Sequence, residues 1–116
     1  MAEKNHQNLN TETTDHGLVV RLEADVDVGS SPTLRASLIQ LIESQSPDRL
    51  VLDLDQVSFM DSSGVATLVE TLRRQTSDGG ELVLANMQPR VKGIFEISRL
   101  DDLFTIVSDI DAEPSA

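Results

Sequence analysis

Leu50-Val51-Leu52-Asp53-Leu54, then Val57-Ser58-Phe59-Met60-Asp61-Ser62-Ser63-Gly64, then Val65, Leu68, Val69 and Leu72: this stretch decides the fold. The first five residues form a short, nearly continuous apolar run, the pattern of a central strand covered on both faces. The last four recur at helical spacing, with Glu70, Arg73 and Arg74 left for the outer face. A polar turn of one Asp, two Ser and one Gly joins them. A buried strand passing through a turn into an amphipathic helix is one half of a βαβ crossover.

The same alternation continues in both directions. Downstream, Asp78-Gly79-Gly80 breaks the helix, and Glu81-Leu82-Val83-Leu84-Ala85 reads as the next strand. Pro89 then opens a helix whose apolar stripe is Val91, Ile94, Phe95 and Ile97. Leu100, Leu103 and a short strand over Phe104-Thr105-Ile106-Val107 are expected to complete the core. Upstream, Ser30-Ser31-Pro32 starts a helix with Leu34, Leu38, Leu41 and Ile42 on one face, stopped by Ser46-Pro47-Asp48. In that reading a Ser hydroxyl accepts an orphan helix amide. Leu18-Val19-Val20-Arg21-Leu22 is a β-branched-rich strand expected to end at Asp25 to Asp27, and Asp15-His16-Gly17 is a tight turn pairing it with Leu9 to Thr14. The order is strand, strand, helix, strand, helix, strand, helix, strand. That is an α/β fold with a mixed, mostly parallel sheet and an antiparallel hairpin at its edge.

The chain has 116 residues, enough for one domain, expected over residues 9–108. Residues 1–8 read as a mobile polar tail and 109–116 as an acidic one. The formal net charge is -11, from 9 Lys and Arg against 20 Asp and Glu, and there is no Trp or Tyr. Nucleic-acid binders need a basic footprint, and single-strand binders need aromatic platforms, so neither class fits. The acidity favours solubility and basic partner surfaces. The absence of Cys excludes disulfides and thiolate chemistry. No apolar run approaches the ~18–20 residues of a membrane span, and the N-terminus lacks the apolar core of a signal peptide. A cytoplasmic location without membrane insertion is the expectation.

Asp61-Ser62-Ser63-Gly64 is the strongest candidate site. It lies at a strand-to-helix junction, where α/β proteins meet ligands and partners. Amides at a helix start lack internal partners, and the local dipole is positive. Asp61 is placed to accept one of those amides, Ser62 and Ser63 fall in the first turn, and Gly64 leaves the backbone bare for close approach of another surface. On pattern alone a plain N-cap is the better explanation of these residues, since an Asp-Ser-Ser-Gly tetrapeptide is not specific by itself. A hydrolase would need a Gly-x-Ser-x-Gly elbow and a His base. The elbow is missing, and His6 and His16 fall in the tail and the hairpin turn. No His, Asp and Glu set has metal-ligand spacing, and no cofactor motif is present. Asp53, Asp55 and Asp61 raise the phospho-acceptor Asp of receiver domains. Against it, the last strand region has no Lys and Asp53 sits inside its apolar run. The chain reads as a protein without catalytic residues of its own.

Val51-Leu52-Asp53-Leu54 and Val57 through Ala66, together with Gly79-Gly80-Glu81-Leu82-Val83-Leu84 and Pro89 through Leu100, resemble the core of STAS domains, and more narrowly the bacterial anti-sigma factor antagonists, or anti-anti-sigma factors. Leu18 to Asp27 resembles the family's early strand, with Ala24 where the family carries Gly. The resemblance spans roughly Leu9 to Val107. It implies the STAS fold, with helices packed mainly on one side of the sheet. It also implies a switch. The unphosphorylated antagonist binds an anti-sigma factor that is itself a GHKL-type serine kinase, freeing a sigma factor. Phosphorylation of the first hydroxyl after the motif Asp ends binding, and a serine phosphatase reverses it. That hydroxyl corresponds to Ser62 here. Asp27, Asp61, Ser62, Ser63 and Gly64 become the expected partner-binding residues. Asp25 and Asp27 keep two readings, part of the site or solvated loop acids. STAS domains also serve as subunits of lipid-trafficking ABC transporters and as scaffolds of stress-sensing assemblies, the alternative roles.

Overall fold

Val19, Val51 and Val83 stand at matching positions on three neighbouring parallel strands, each fully or almost fully buried, and they mark the middle of the sheet. The computed structural model describes residues 9–109, so the expected tail over 1–8 and residues 110–116 of the expected acidic tail lie outside the described residues. The described chain runs β1 (Leu9–Thr14), β2 (Gly17–Leu22), α1 (Ser31–Gln45), β3 (Arg49–Asp53), α2 (Ser62–Ser77), β4 (Glu81–Ala85), α3 (Pro89–Ile97) and β5 (Thr105–Val107). The five strands lie in sequence order, β1 antiparallel to β2 and the rest parallel.

This order has a consequence for layering. Three successive crossovers of one hand, each stepping one strand further, place every helix on the same face. Period-two alternation then sorts the strands. Leu18, Val20, Leu22, Leu50, Leu52, Leu82 and Leu84 face the helices, where Leu34, Leu38, Leu41, Ile42, Leu68, Val91 and Phe95 meet them in one core. Val19, Val51, Val83, Ala85 and Val107 form a second apolar cluster on the opposite face. β3 is therefore buried on both faces, as its unbroken apolar run requires.

Four details differ from the sequence expectation. β2 stops at Leu22 and does not reach Asp25; beyond it Val26 makes only an isolated parallel bridge to Met60. Ile97 is 86% exposed and Leu103 52%, so neither belongs to the core. Ile97 is the last residue of α3, two positions after the buried Phe95, and so stands on roughly the opposite side of the helix. The buried face of α2 is Gly64, Val65, Thr67, Leu68, Thr71 and Gln75, rotated from the apolar stripe towards small and polar residues. Val69 and Leu72 are only half-buried against the core. Two of the polar members donate bonds: the Thr71 hydroxyl to Thr67 O at 2.8 Å, and Gln75 Nε2 to Pro47 O and Glu81 O at 2.7 and 3.2 Å, while Gln75 Oε1 is buried without a partner among the described residues. Gln75 thus ties the end of α2 to the loop before β3 and the start of β4. Finally, Asp53 is the last residue of β3. Its buried carboxylate pairs with Arg21 at 3.3 Å and accepts from Asn86 Nδ2 at 2.9 Å. A carboxylate so engaged is a poor phosphoryl acceptor.

Candidate functional site

The loop from Glu23 to Ser30 and the loop from Leu54 to Asp61 leave the same end of the sheet, after β2 and β3. The Val26–Met60 bridge binds them together: Val26 N–H donates to Phe59 O and Asp61 N–H to Val26 O, both at 3.1 Å. Val26 and Met60 turn inward and are buried; alternation leaves Phe59, next to Met60, exposed, and Val28 is exposed in the turn that follows the bridge.

Carboxylates make the joint reciprocal. Asp25, on the first loop, accepts from the second: Ser58 N–H at 2.8 Å, Ser58 Oγ at 3.0 Å and Phe59 N–H at 3.1 Å, all on Oδ1. Asp61, on the second loop, accepts from the first: Val28 N–H reaches its Oδ2 at 3.0 Å. Asp61 Oδ1 caps α2, accepting from Ser63 N–H at 2.9 Å and Gly64 N–H at 3.3 Å. Asp27 closes its own turn, its Oδ1 accepting from Gly29 and Ser30 amides at 2.9 and 3.1 Å. Asp25 and Asp27 are both exposed loop acids, and each also fixes backbone, Asp25 across the two loops and Asp27 within its own turn. Ser30 departs from its expected role: it makes no side-chain cap bond to α1, and its hydroxyl oxygen accepts from the Asp27 amide behind it.

The bonds set the ionisation of two acids. The Ser58 amide and hydroxyl, with the Phe59 amide, hold the Asp25 carboxyl below its ordinary range. The Ser63 hydroxyl, against an opposing effect of burial and aided by the Gly64, Ser63 and Val28 amides, does the same for Asp61. Bonds donated to the charged form favour it.

The two serines have different surroundings. Ser63 Oγ donates to Asp61 Oδ1 at 2.5 Å and lies 2.8 Å from Ser31 Oγ, while Ser31 Oγ lies 2.7 Å from Asp27 O. Two hydroxyl protons serve three short contacts, and the charge-assisted one to Asp61 takes the Ser63 proton. Ser62 is exposed at the first position of α2, and among the described residues nothing engages its hydroxyl. Gly64 is buried: a Cβ there would come within 2.5 Å of Met60 Cγ and 2.8 Å of Val26 Cγ1. The surface that approaches its bare backbone is internal, contrary to the expectation of a partner.

The arrangement offers one exposed hydroxyl on a positive helix end, framed by fixed carboxylates, and among the described residues no His stands beside it. His16 lies at the other end of the sheet, in the turn before β2, where Gly17 packs on Arg49 at the start of β3. Among the described residues no group of three or more His, Asp or Glu is placed to hold a metal, and no helix is long and apolar enough to cross a membrane.

The STAS-domain family profile matches residues 8–113. The chain belongs to the STAS-domain family. It is 32% identical over 99 residues to an anti-sigma-B factor antagonist of Bacillus subtilis, covering 85% of this chain and 89% of that protein. It is 32% identical over 108 residues to an anti-sigma-B factor antagonist of Staphylococcus aureus, covering 91% and 99%. Among solved structures, the Bacillus cell fate determinant SpoIIAA in its phosphorylated form shares 25% identity over 86% of this chain and 91% of its own, with a TM-score of 0.65. An anti-sigma factor antagonist from Mycobacterium paratuberculosis has the same fold, with a TM-score of 0.79 over 89% and 86% of the two chains at 24% identity. The STAS fold places all three helices over one face of the sheet here, and the motif loop at the end of its central strand. The sequence missed the carboxylate cross-bracing. Asp25-x-Asp27 and Asp61, 34 residues beyond Asp27, are its only trace, because spacing alone does not reveal which loops meet.

Proposed function

We propose that this STAS domain is an anti-sigma factor antagonist that acts by binding, without catalysis of its own. Unphosphorylated, it binds an anti-sigma factor that is a GHKL-type serine kinase and releases a sigma factor. Phosphorylation of Ser62 by that kinase ends the interaction, and a serine phosphatase restores it, all within the cytoplasm. The observation that carries this reading is the contrast at the motif: Ser62 presents a free, exposed hydroxyl, and Ser63 commits its proton to Asp61. The names of the two relatives and the phosphorylated SpoIIAA structure support it.

The chemistry follows from the geometry. A phosphate at Ser62 adds about -1.5 to -2 charges near neutral pH. The α2 N-terminus favours that anion, and Asp61 opposes it locally. The domain keeps its fold because the phosphate sits outside the braced loops. A partner packed against Ser62 must accommodate a dianion at the contact, and a loss of about 3–4 kcal/mol there lowers affinity by roughly a few hundred-fold. The test is kinase assay and peptide mapping with the purified anti-sigma factor and ATP. Wild type and Ser63→Ala are expected to gain one phosphate on residue 62, and Ser62→Ala none. Phosphate on Ser63 in the wild type would contradict the assignment.

A further inference from the structure

Two apolar side chains stand out of the two braced loops that meet at the Ser62 turn. Val28 is 76% exposed and Phe59 43%. Single exposed apolar residues are ordinary. These two differ in standing on backbone that is braced loop to loop. The Val28 amide is bonded to Asp61, the residue before Ser62, and the Phe59 amide to Asp25, while Phe59 O accepts from Val26. Backbone braced this way before binding needs no reordering on contact, which favours an anchor.

Their surroundings are of one sign. From Leu22 to Leu34 and from Leu50 to Leu72 there is no Lys or Arg, and these segments carry Glu23, Asp25, Asp27, Asp53, Asp55, Asp61 and Glu70. Arg35, just beyond, is tied to Glu70 at 2.6 Å. A second copy of this chain would meet like charge here, and an anionic membrane would be repelled.

We infer that Val28 and Phe59 are the apolar anchors of the partner interface, and that the partner presents an apolar recess rimmed by Lys and Arg around the contact with Ser62. The inference rests on the antagonist reading and adds to it which residues hold the partner before any phosphate is attached. Burial of an aromatic or aliphatic anchor at an interface centre carries a large share of binding energy, and the acidic rim guides approach more than it adds affinity.

The test is calorimetric titration of the purified anti-sigma factor with wild type, Val28→Ser, Phe59→Ser and Ile97→Ser, each shown folded by circular dichroism and melting temperature. Ile97 is the more exposed control, at the end of α3. Val28→Ser and Phe59→Ser are each expected to weaken binding by about tenfold or more. Ile97→Ser is expected to bind as wild type does. Wild-type binding with undiminished affinity in both loop variants would overturn the anchor assignment and leave the antagonist reading standing. Loss of affinity in Ile97→Ser equal to that in the loop variants would overturn it too. Failure of the wild type itself to bind the anti-sigma factor would remove the antagonist reading and the anchors with it. Because Val28 is exposed and its bond to Asp61 comes from the backbone, Val28→Ser keeps the test open even if Phe59→Ser fails to fold.

Discussion

Asp25 and Asp61 each reach from their own loop to the backbone of the other, and this exchange gives the motif its rigidity. Its energy depends on ionisation. Both carboxyls are held below their ordinary range in the fold, Asp25 chiefly by the Ser58 amide and Asp61 chiefly by the Ser63 hydroxyl. Their contribution is therefore complete above the unfolded carboxylate pKa of about 3.9, and is lost as pH falls through the lower folded values. Asp25→Asn is expected to melt below wild type at pH 7, and the gap should shrink as pH falls below the unfolded carboxylate value of about 3.9 and wild type loses the same charge. Melting curves from pH 7 to pH 2.5 check this; a gap independent of pH would show that the charge of Asp25 contributes nothing. At this scale the sequence told part of the story. Ser62 was legible as an exposed hydroxyl at a helix start, and Asp61 as a cap. The roles of Asp25, Asp27 and Ser63 were not, because each depends on an atom more than two residues away or on a choice among competing hydroxyls.

Among the elements, α2 carries the site at one end and a clamp at the other. Its first turn lies tightly on Val26 and Met60, which only a residue without a side chain permits at position 64. Gly64→Ala must push the Met60 or Val26 side chain aside, and overpacking of that kind costs about 1–3 kcal/mol. Chemical denaturation should register the loss, and weakened partner binding should accompany it because the shift moves Asp61. Unchanged stability would mean that Met60 repacks freely. The elements themselves were readable from periodicity and turn residues: all five strands and three helices were found, with bounds within a residue or two except at the end of β2, which stops at Leu22 and not at Asp25 to Asp27. The errors of burial share a cause. Periodicity identifies a helix but leaves its rotation loose, so Thr67, Thr71 and Gln75 were not recognised as the buried face of α2. Ile97 and Leu103 were taken into the core since an apolar residue at the right spacing reads as buried even where its side chain is exposed. The βαβ order alone left the layers open, because crossovers of one hand share a face only when every strand steps the same way across the sheet; the one-sided packing was expected from the STAS resemblance.

Across the whole molecule, charge is distributed unevenly. The formal charge is -11, yet both loops that form the site lack any Lys or Arg. The motif end is therefore the acidic pole towards which a basic partner is drawn. Screening shortens from about 10 Å at 0.1 M salt to about 3 Å at 1 M. Association with the anti-sigma factor is expected to slow markedly over that range, with a smaller change in dissociation. Stopped-flow association rates at several salt concentrations check it, and a flat profile would mean that the acidic pole does not guide encounter. The same pole sets the consequence of phosphorylation. A dianion at Ser62 finds a favourable helix end within its own chain, and the cost is displaced onto the partner.

The most direct measurement compares the affinity of the purified anti-sigma factor for the unmodified chain and for the chain phosphorylated on Ser62, by calorimetry under one buffer condition. The expected result is tight binding of the unmodified chain and a loss of about a hundred-fold or more on phosphorylation, with circular dichroism unchanged. Equal affinity for the two forms would contradict the switch at Ser62.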